Sequence, residues 1–582
     1  MPTKFENYRN SKNPIPANTW AWNLYGTGIE NIGRDGSPEL FTVPQPNDNQ
    51  LLMRVDAVGM CFSDVKLIKQ GSAHPKLYNR DLRNNPTRLG HEATLTVVKV
   101  GKNLALKFHP GQRLVIQPDI YHNQMSTAYG YTIPGGLIQY HLVGDEILNA
   151  DEGSYVIPVE GELGYAEAAL TEPWACVEAA YTQRRRLNIK KDGLMWILGQ
   201  IGDKTPYTFS NGLDAPSTII LTNVHESIKK RILEETKRGA KVIEVNGLKS
   251  ENFLKFKVDY SGDKGFDDIV LLEPKSATLV TEAAKLIAFR GTFNIVGNSA
   301  LDGDPQIDAG RIHYHYTTYI GNTGPDISAS YGERRNRAEL RSGGTAVFVG
   351  AGGPMGQMHV QRAIELKNGP TIIIATEVNP SRMETLNKLY APLAKAHGKK
   401  FITFNPSAAN ESVVDFIGQQ TKGRMADDVV VCVPVAALME ESGKLTAPDG
   451  MLVFFAGVGI GTYIPLNLSA VYLHNAQLTG TSGSTLEDQR LVIEKTLARQ
   501  LSPNYSVAAV GGLEAARDGV DAMMSGKFAG KVVIFPQLNG LPLTGLEEMP
   551  TRYPEIAAKL GLYNTWTLDA EKALIEKFWT GV

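Results

Sequence analysis

Residues 346–366 read AVFVGAGGPMGQMHVQRAIEL, and this stretch decides the fold of the second half of the chain. A short apolar run enters a glycine-rich turn, and apolar residues with helical spacing follow the turn. A turn with few side chains lets backbone N–H groups and the amino end of the next helix face a pyrophosphate. The stretch therefore predicts a doubly wound α/β unit that binds a dinucleotide through Gly350, Gly352, Gly353, Pro354, Met355 and Gly356.

An acidic residue follows this turn at the distance typical of such units. TIIIATE, residues 371–377, predicts the second strand and places Glu377 at its end, about 20 residues beyond the turn. A carboxylate at this place accepts hydrogen bonds from the adenosine ribose hydroxyls and repels a 2′-phosphate. The sequence therefore predicts NAD rather than NADP, a preference that Arg382 moderates.

The same order of segments occurs about 160 residues earlier in the chain. GFDDIVLLEP at 265–274 resembles MADDVVVCVP at 425–434, and RGTFNIVG ending at Gly297 resembles DGMLVFFAG ending at Gly457. Short β-branched runs alternate with helical periodicity in both copies, which is typical of parallel sheets covered by helices. The sequence therefore predicts two tandem Rossmann-like units, each a doubly wound parallel sheet.

The first copy lacks the groups that hold a dinucleotide. Its turn keeps only Gly199 and Gly202, and its second strand ends on Asn223 where the other copy has an acid. We expect this unit to keep the fold as a packing or oligomerisation module, without binding a dinucleotide in the ordinary way. A second NAD site is the alternative.

The composition limits the class of protein. A chain of 582 residues is long enough for three or four domains. A net charge of -2 gives no support for a nucleic-acid partner or an anionic membrane. The three separated cysteines suit neither a disulfide framework nor a four-thiolate zinc site, and neither an apolar leader nor a membrane-spanning run is present. We therefore expect a soluble, cytoplasmic protein.

Residues 38–160 contain short alternating apolar runs broken by Gly, Pro and Asn, which predicts an irregular all-β unit. Three segments in and after this region carry metal-ligating side chains: GMCFSDVK at 59–66, LGHEATL at 89–95 and TEPWACVEAA at 171–180. Cys, His and a carboxylate form the donor set of a catalytic zinc that keeps one position open. The candidate ligands are Cys61, His91, Glu92 and Glu172.

These segments, in this order, resemble the zinc-dependent medium-chain dehydrogenase/reductase family. The resemblance rests on Cys-x-Ser-Asp at 61–64, Gly-His-Glu at 90–92, Glu-Pro at 172–173 and the closing GLEAARDGVDAMMSGKFAGKVVIFP at 512–536. Within the family, the chain is most similar to the L-sorbose-1-phosphate reductases and other polyol dehydrogenases. The resemblance covers about residues 38–192 and 342–535 and departs between them, where the chain has its additional Rossmann-like unit.

The resemblance and the repeat together imply a domain for each part of the chain. The resemblance implies a GroES-like β-barrel zinc catalytic domain at 1–192 and an NAD-binding Rossmann domain with a closing catalytic segment at 342–535. The repeat predicts a degenerate Rossmann-like domain at 193–330, and a C-terminal tail follows at 536–582. The tail is predicted to be helical, because Thr567 followed by acidic residues is typical of a helix start.

The resemblance also implies roles for the site residues. Cys61 and His91 would be zinc ligands, with either Glu92 or Glu172 as the carboxylate ligand and the other carboxylate holding the water. Ser63 would take the proton of the alcohol in a relay, and Asp64 would orient His91. Cys176, one helical turn after Glu172, is interpreted as a packing residue.

We therefore predict an oxidoreductase that uses Zn2+ and NAD(H) and interconverts a secondary alcohol and a ketone of a polyol, sugar or sugar phosphate. Two alternatives remain open: a zinc-free quinone or enoyl reductase of the same superfamily, and a non-catalytic NAD-binding scaffold or sensor. A homo-oligomer, dimer or tetramer, is expected, because TYIGNTG and QLTGTSG resemble the edge strand through which the family often dimerises. The arginines at 184–186 and in the linker at 328–344 are interpreted as solvated helix faces.

Overall fold

The computed structural model describes residues 3–11, 13–236 and 239–581. They form two compact units. The terminal unit lies within residues 1–178, 353–358 and 483–582, and the central unit within 179–352 and 359–482. This division is coarser than the four domains expected from the sequence, whose boundaries stay a prediction. No helix in the described ranges has the length and apolar character needed to cross a membrane.

An eight-stranded sheet forms the core of the terminal unit. Its two longest strands, Leu51–Gly59 and Glu92–Val100, pair antiparallel and place Gly59 opposite Glu92. Lys531–Phe535 pairs with the other edge of Leu51–Gly59, so a segment from late in the chain completes the sheet. The other strands are Arg113–Ile116, Tyr140–Val143, Val156–Pro158, Val507–Gly512 and Thr544–Gly545, with two separate pairs, Asn18–Ala21 with Glu39–Thr42 and Tyr121–His122 with Met125–Ser126.

The last helix of the terminal unit, Leu568–Phe578, begins after the N-cap Thr567, as predicted. Its buried Glu571 accepts hydrogen bonds from the backbone N–H groups of Tyr165 (2.5 Å) and Ala166 (2.9 Å). These N–H groups begin the helix Tyr165–Ala169 and have no partner within it, so the carboxylate of Glu571 stabilises the amino end of that helix. The other helices here are Lys4–Arg9, Phe62–Gln70, Asp145–Leu148, Tyr165–Ala169, Thr171–Ala179, Leu486–Leu497, Ala516–Ser525, Met549–Arg552 and Pro554–Ala557.

Two six-stranded parallel sheets form the central unit, as the repeat predicts. We call them the first and second sheets in chain order. The strand order of the first is Lys241–Glu244, Thr218–Thr222, Leu194–Leu198, Phe266–Leu272, Ile287–Val296 and Thr318–Asn322. The second has the equivalent order of Lys400–Phe404, Ile372–Thr376, Thr345–Val349, Ala426–Val431, Thr446–Phe454 and Gln477–Gly480. Both match the doubly wound order expected of Rossmann-like units.

The two copies differ after their first strand. In the second copy, the helix Pro354–Glu365 follows Thr345–Val349, whereas the described chain between Leu198 and Thr218 contains no helix. The remaining helices are Glu226–Glu235, Phe253–Ser261, Ala277–Ala284 and Ala309–Tyr314 with the first sheet, and Pro380–Ala396, Val413–Gln420, Ala436–Leu445 and Leu468–His474 with the second. The first sheet therefore has no helix amino end at the place where a pyrophosphate binds.

The interpretation of the arginine segments as solvated helix faces was wrong. Arg185 is buried and lies outside any helix. Arg186 pairs with Asp268, and Arg337 pairs with Asp428 at the equivalent place of the second copy. Because both aspartates are buried, each needs a positive partner, and each arginine thereby fixes the segment that enters its sheet.

Glu167 provides a test of the packing in the terminal unit. Burial, followed by the charge of Glu571, raises the pKa of Glu167 to about 7. The folded chain therefore retains a proton that the unfolded chain loses above its usual pKa of 4.5, so this residue's contribution to stability is lost as the pH rises from about 4.5 to about 7. We expect Glu167→Gln to raise the Tm by about 2–4 °C at pH 8, with a smaller effect at pH 5. The exposed Glu160→Gln is the control, and an equal effect of Glu167→Gln at both pH values would contradict the assignment.

Candidate active site

Three candidate ligands meet in the terminal unit. One ligand atom each from Cys61, His91 and Glu92 lies within 4.8 Å of the other two. Cys61 is the N-cap of the helix Phe62–Gln70, and His91 and Glu92 stand where the strand Glu92–Val100 begins. Within the described ranges, this is the one such group of three or more His, Cys, Asp or Glu side chains. The donor types and the burial of His91 and Glu92 suit zinc.

Asp64 connects two of these residues. Its Oδ1 lies 3.4 Å from His91 Nδ1, and its Oδ2 accepts a hydrogen bond from the Cys61 backbone N–H at 3.0 Å. Burial alone would raise the pKa of Asp64, but His91 and these N–H contacts hold it below its usual value. Asp64 makes an ion-pair contact with Nδ1, which has no hydrogen bond within the described residues, so Nε2 is the nitrogen left for a metal. The orienting role of Asp64 stays a prediction that this contact supports.

Glu92 has one oxygen in an ion pair and one without a partner. The ammonium of Lys531 pairs with Glu92 Oε1 and donates to the Met60 carbonyl at 3.1 Å. Glu92 Oε2 is buried, with no hydrogen-bond partner among the described residues. A buried oxygen of this kind is costly unless a cation or a donor reaches it, so the residues fit a metal ion. Sequence reasoning missed Lys531, which lies 439 positions from Glu92.

Glu172 lies near this group but is not part of it. Burial raises its pKa to about 7, with His91 lowering it and Glu92 raising it. Cys176 Sγ is 4.0 Å from Glu172 Oε1, and burial raises the pKa of this thiol well above its usual value. A thiol kept protonated packs as a small apolar group, which agrees with the interpretation of Cys176. The ligand-atom geometry favours Glu92 over Glu172.

The partly buried Ser63 lies beside the ligand Cys61. Its Oγ is 3.6 Å from Cys61 Sγ. Because the helix Phe62–Gln70 begins immediately after Cys61, its first turn brings this hydroxyl next to the thiol. This proximity is what the predicted relay role of Ser63 would need, and that role stays a prediction.

A polar pair that sequence reasoning missed lies next to the ligands. The Tyr131 ring packs 5.9 Å from the His91 ring, and Lys76 Nζ lies 5.0 Å from the Tyr131 ring centre. Lys76 Nζ is 2.5 Å from Asp119 Oδ1, and about a third of each of these two side chains is exposed, 35% and 36%. Burial would lower the pKa of Lys76, but Asp119 raises it above its usual value. One ring therefore separates a solvent-accessible ion pair from a metal ligand.

The predicted dinucleotide turn forms in the second copy. After the strand Thr345–Val349, Gly350 adopts a φ of +72°, and the Gly352 N–H donates to Glu377 Oε2 at 2.9 Å. A Cβ at Gly352 would lie 2.2 Å from that oxygen, so only glycine fits. Glu377 stands at the end of its strand, as predicted. The position of a Cβ on Gly353 has no neighbour within 4 Å, which leaves the open space that a phosphate requires.

The other predicted residues continue this turn into a helix. Pro354, Met355 and Gly356 are the first three residues of the helix Pro354–Glu365. Proline at the first helical position leaves no unsatisfied N–H there. At the equivalent strand end of the first sheet, Asn223 has a φ of +52° and its amide oxygen accepts from Gly247 N–H. The group that would accept from a ribose is thus present only in the second copy, among the described residues.

Family profiles and relatives agree with this geometry. The profile described as alcohol dehydrogenase GroES-like domain matches residues 47–150, and that of zinc-binding dehydrogenase matches residues 354–498. Mannitol-1-phosphate 5-dehydrogenase of Aliivibrio fischeri is 30% identical over 92% of this chain and 94% of its own. L-sorbose 1-phosphate reductase of Klebsiella pneumoniae is 28% identical over 53% of this chain and 75% of its own.

A solved structure supports the fold. The 2R,3R-butanediol dehydrogenase from Bacillus subtilis aligns with a TM-score of 0.50 at 16% identity, over 89% of this chain and 99% of its own. The chain is thus an oxidoreductase of the alcohol dehydrogenase type, and the two sites fit the Zn2+ and NAD of this class. It belongs to the zinc-dependent medium-chain dehydrogenase/reductase family and is close to the polyol dehydrogenases within it.

Proposed function

We propose that this chain transfers a hydride between NAD(H) and a secondary alcohol or ketone of a polyol, sugar or sugar phosphate. The observation that carries the proposal is the convergence of Cys61, His91 and Glu92 within 4.8 Å, in a chain whose second sheet has an NAD-type turn. The names of two relatives, a mannitol-1-phosphate dehydrogenase and a sorbose 1-phosphate reductase, support the substrate class.

In this proposal, Cys61 Sγ, His91 Nε2 and Glu92 Oε2 would hold the metal. Zinc bound there supplies Lewis-acid chemistry, which makes an alcohol easier to deprotonate near neutral pH. Asp64 orients the imidazole through Nδ1, and Lys531 compensates the charge on the other oxygen of Glu92. Glu172, buried nearby, is assigned to hold a water molecule rather than the metal.

The proton of the alcohol would leave through Ser63 Oγ, which lies 3.6 Å from Cys61 Sγ. The hydroxyl would accept this proton and release its own to water, which reaches the partly exposed Ser63. NAD would supply the nicotinamide that accepts the hydride, and Glu377 with the turn at Gly350–Gly353 would hold its adenosine end.

Lys76 and Asp119 support a polyhydroxylated substrate. A carboxylate accepts hydrogen bonds from hydroxyl groups, and an ammonium donates to them, so together they suit neighbouring hydroxyls of a polyol. The ammonium has three donors, and the Asp119 contact uses one of them. We assign this pair to hydroxyl groups away from the reacting carbon.

The first prediction concerns the metal. We expect Cys61→Ser to reduce zinc content and to lower the rate of NAD reduction on a polyol and sugar-phosphate panel, on the order of 1000-fold. Elemental analysis and NADH absorbance measure the two effects. Cys176→Ser is the matched control, and it should keep both zinc and activity. Full activity in Cys61→Ser would refute the zinc mechanism, and an inactive but zinc-loaded wild type would favour a scaffold.

The second prediction concerns the dinucleotide. Glu377→Gln keeps an acceptor for Gly352 N–H but removes the charge that repels a 2′-phosphate. We expect the affinity for NADH to fall, and the ratio of NADPH affinity to NADH affinity to rise by about 10-fold. Fluorescence titration measures both affinities and the stoichiometry, which should be one NADH per chain. An unchanged ratio, or two equivalent sites, would contradict the assignment.

The third prediction concerns the substrate. Asp119→Asn should lower kcat/KM for a polyol by roughly 10–100-fold, because a charged acceptor for its hydroxyls is lost. For a secondary alcohol that has no hydroxyl groups beyond the reacting carbon, the same variant should change kcat/KM little. Asp151→Asn, on an exposed carboxylate elsewhere in the unit, is the control. Equal losses on both substrates would reject hydroxyl recognition, and a gain confined to phosphorylated substrates would point instead to phosphate at Lys76.

A further inference from the structure

The two sheets of the central unit contact each other through equivalent elements of the repeat. The strand Gln306–Asp308 of the first copy pairs antiparallel with Tyr463–Pro465 of the second, and Ile307 lies opposite Ile464. Both isoleucines are buried. Gln306 lies opposite Pro465, its equivalent in the repeat, so the antiparallel pairing defines an approximate two-fold axis between the sheets.

The helices that follow these strands are exchanged across this axis. Ala309–Tyr314 from the first copy packs against the edge strand Gln477–Gly480 of the second sheet. Reciprocally, Leu468–His474 packs against Thr318–Asn322, the edge strand of the first sheet. Every residue of both edge strands is buried, although each strand is the last of its sheet. Each copy therefore covers the edge of the other.

A pair of glycines shows how close this packing is. A Cβ at Gly321 would lie 2.4 Å from Tyr472 Cβ, as well as 2.3 Å from the Ile295 carbonyl oxygen of its own sheet. A Cβ at Gly480 would lie 3.0 Å from His313 Cα. Gly321 and Gly480 are equivalent positions of the repeat, as are His313 and Tyr472. The same close approach of helix to strand is thus made twice, once in each direction.

We propose that the first sheet serves as a built-in partner of the second, occupying the place that a second copy of an NAD-binding sheet would take. The first copy keeps the strand Gln306–Asp308, the helix Ala309–Tyr314 and Gly321, which all take part in this contact. In the part of the chain that the structure describes, it lacks a helix directly after its first strand, and it lacks the acid at the end of its second strand, the two groups that hold a dinucleotide. An edge strand left open presents unpaired N–H and C=O groups. A covalently joined cover closes that edge at any protein concentration, since the contact is intramolecular.

This role differs from the homo-oligomer expected at the outset. That expectation stays a prediction, but both strands on which it rested are covered within one chain. Any contact between copies then uses another surface. The inference does not depend on the substrate or on zinc.

A disulfide across the axis tests the contact. In the double variant Ile307→Cys and Ile464→Cys, the two thiols face each other in an antiparallel pair, where Cα spacing permits a disulfide. After mild oxidation of dilute protein, we expect loss of two thiols and a single-chain mass on a non-reducing gel. Ile464→Cys alone should give no cross-link. A covalent dimer from the double variant would overturn the proposal, because it would place the contact between copies.

A substitution in the first sheet tests the role. Gly321→Val should press on the Ile295 carbonyl of its own sheet and on the Tyr472 helix, so either contact lowers the Tm. Roughly 10-fold weaker NADH binding by the second sheet is the readout specific to the proposal. Gly443→Val is the matched control, since a Cβ there has no neighbour within 4 Å. Unchanged NADH affinity in folded Gly321→Val, whatever its Tm, would refute the role of the first sheet. If this variant fails to fold, the cross-link still decides whether the contact lies within one chain.

Discussion

The antiparallel pairing of Leu51–Gly59 with Glu92–Val100 is the constraint on which the candidate active site depends. Because the first strand leads to Cys61 and the second begins at Glu92, their register brings three donors together from two distant segments. A strand register cannot shift by one residue without turning every side chain to the opposite face, so the pairing fixes the site as firmly as it fixes the core. The strand Lys531–Phe535 then adds the ammonium that neutralises part of Glu92.

Charge compensation explains how so many ionisable groups share this buried region. Asp64 faces His91 and Lys531 faces Glu92, so each charged group has an opposite partner and few are left alone. Glu92 Oε2 and His91 Nδ1 are exceptions, because neither makes a hydrogen bond within the described residues. A buried carboxylate oxygen without a hydrogen bond, next to a thiol and an imidazole, is the arrangement that a metal site requires.

Duplication explains the length of the chain. The two copies retained the ion pairs Arg186–Asp268 and Arg337–Asp428, which hold the entry to each sheet, because loss of a partner would leave a buried aspartate uncompensated. They diverged at the turn after the first strand, where the requirement comes from the ligand rather than from the fold. Selection for packing and selection for binding thus act on separate parts of the same unit.

The sequence by itself determined the fold class, the repeat and the identity of the donors, because these follow from local periodicity, from glycine-rich turns and from residue types at short spacing. Cys61, His91 and Glu377 could be named in this way, and Asp64 through the family resemblance. Only the tertiary structure brought in Lys531, Asp119 and Lys76, favoured Glu92 over Glu172 by geometry, and showed that Arg185 is buried. Those facts depend on which strands pair and which helices cover an edge, and contacts between residues hundreds of positions apart leave no local pattern in a single sequence.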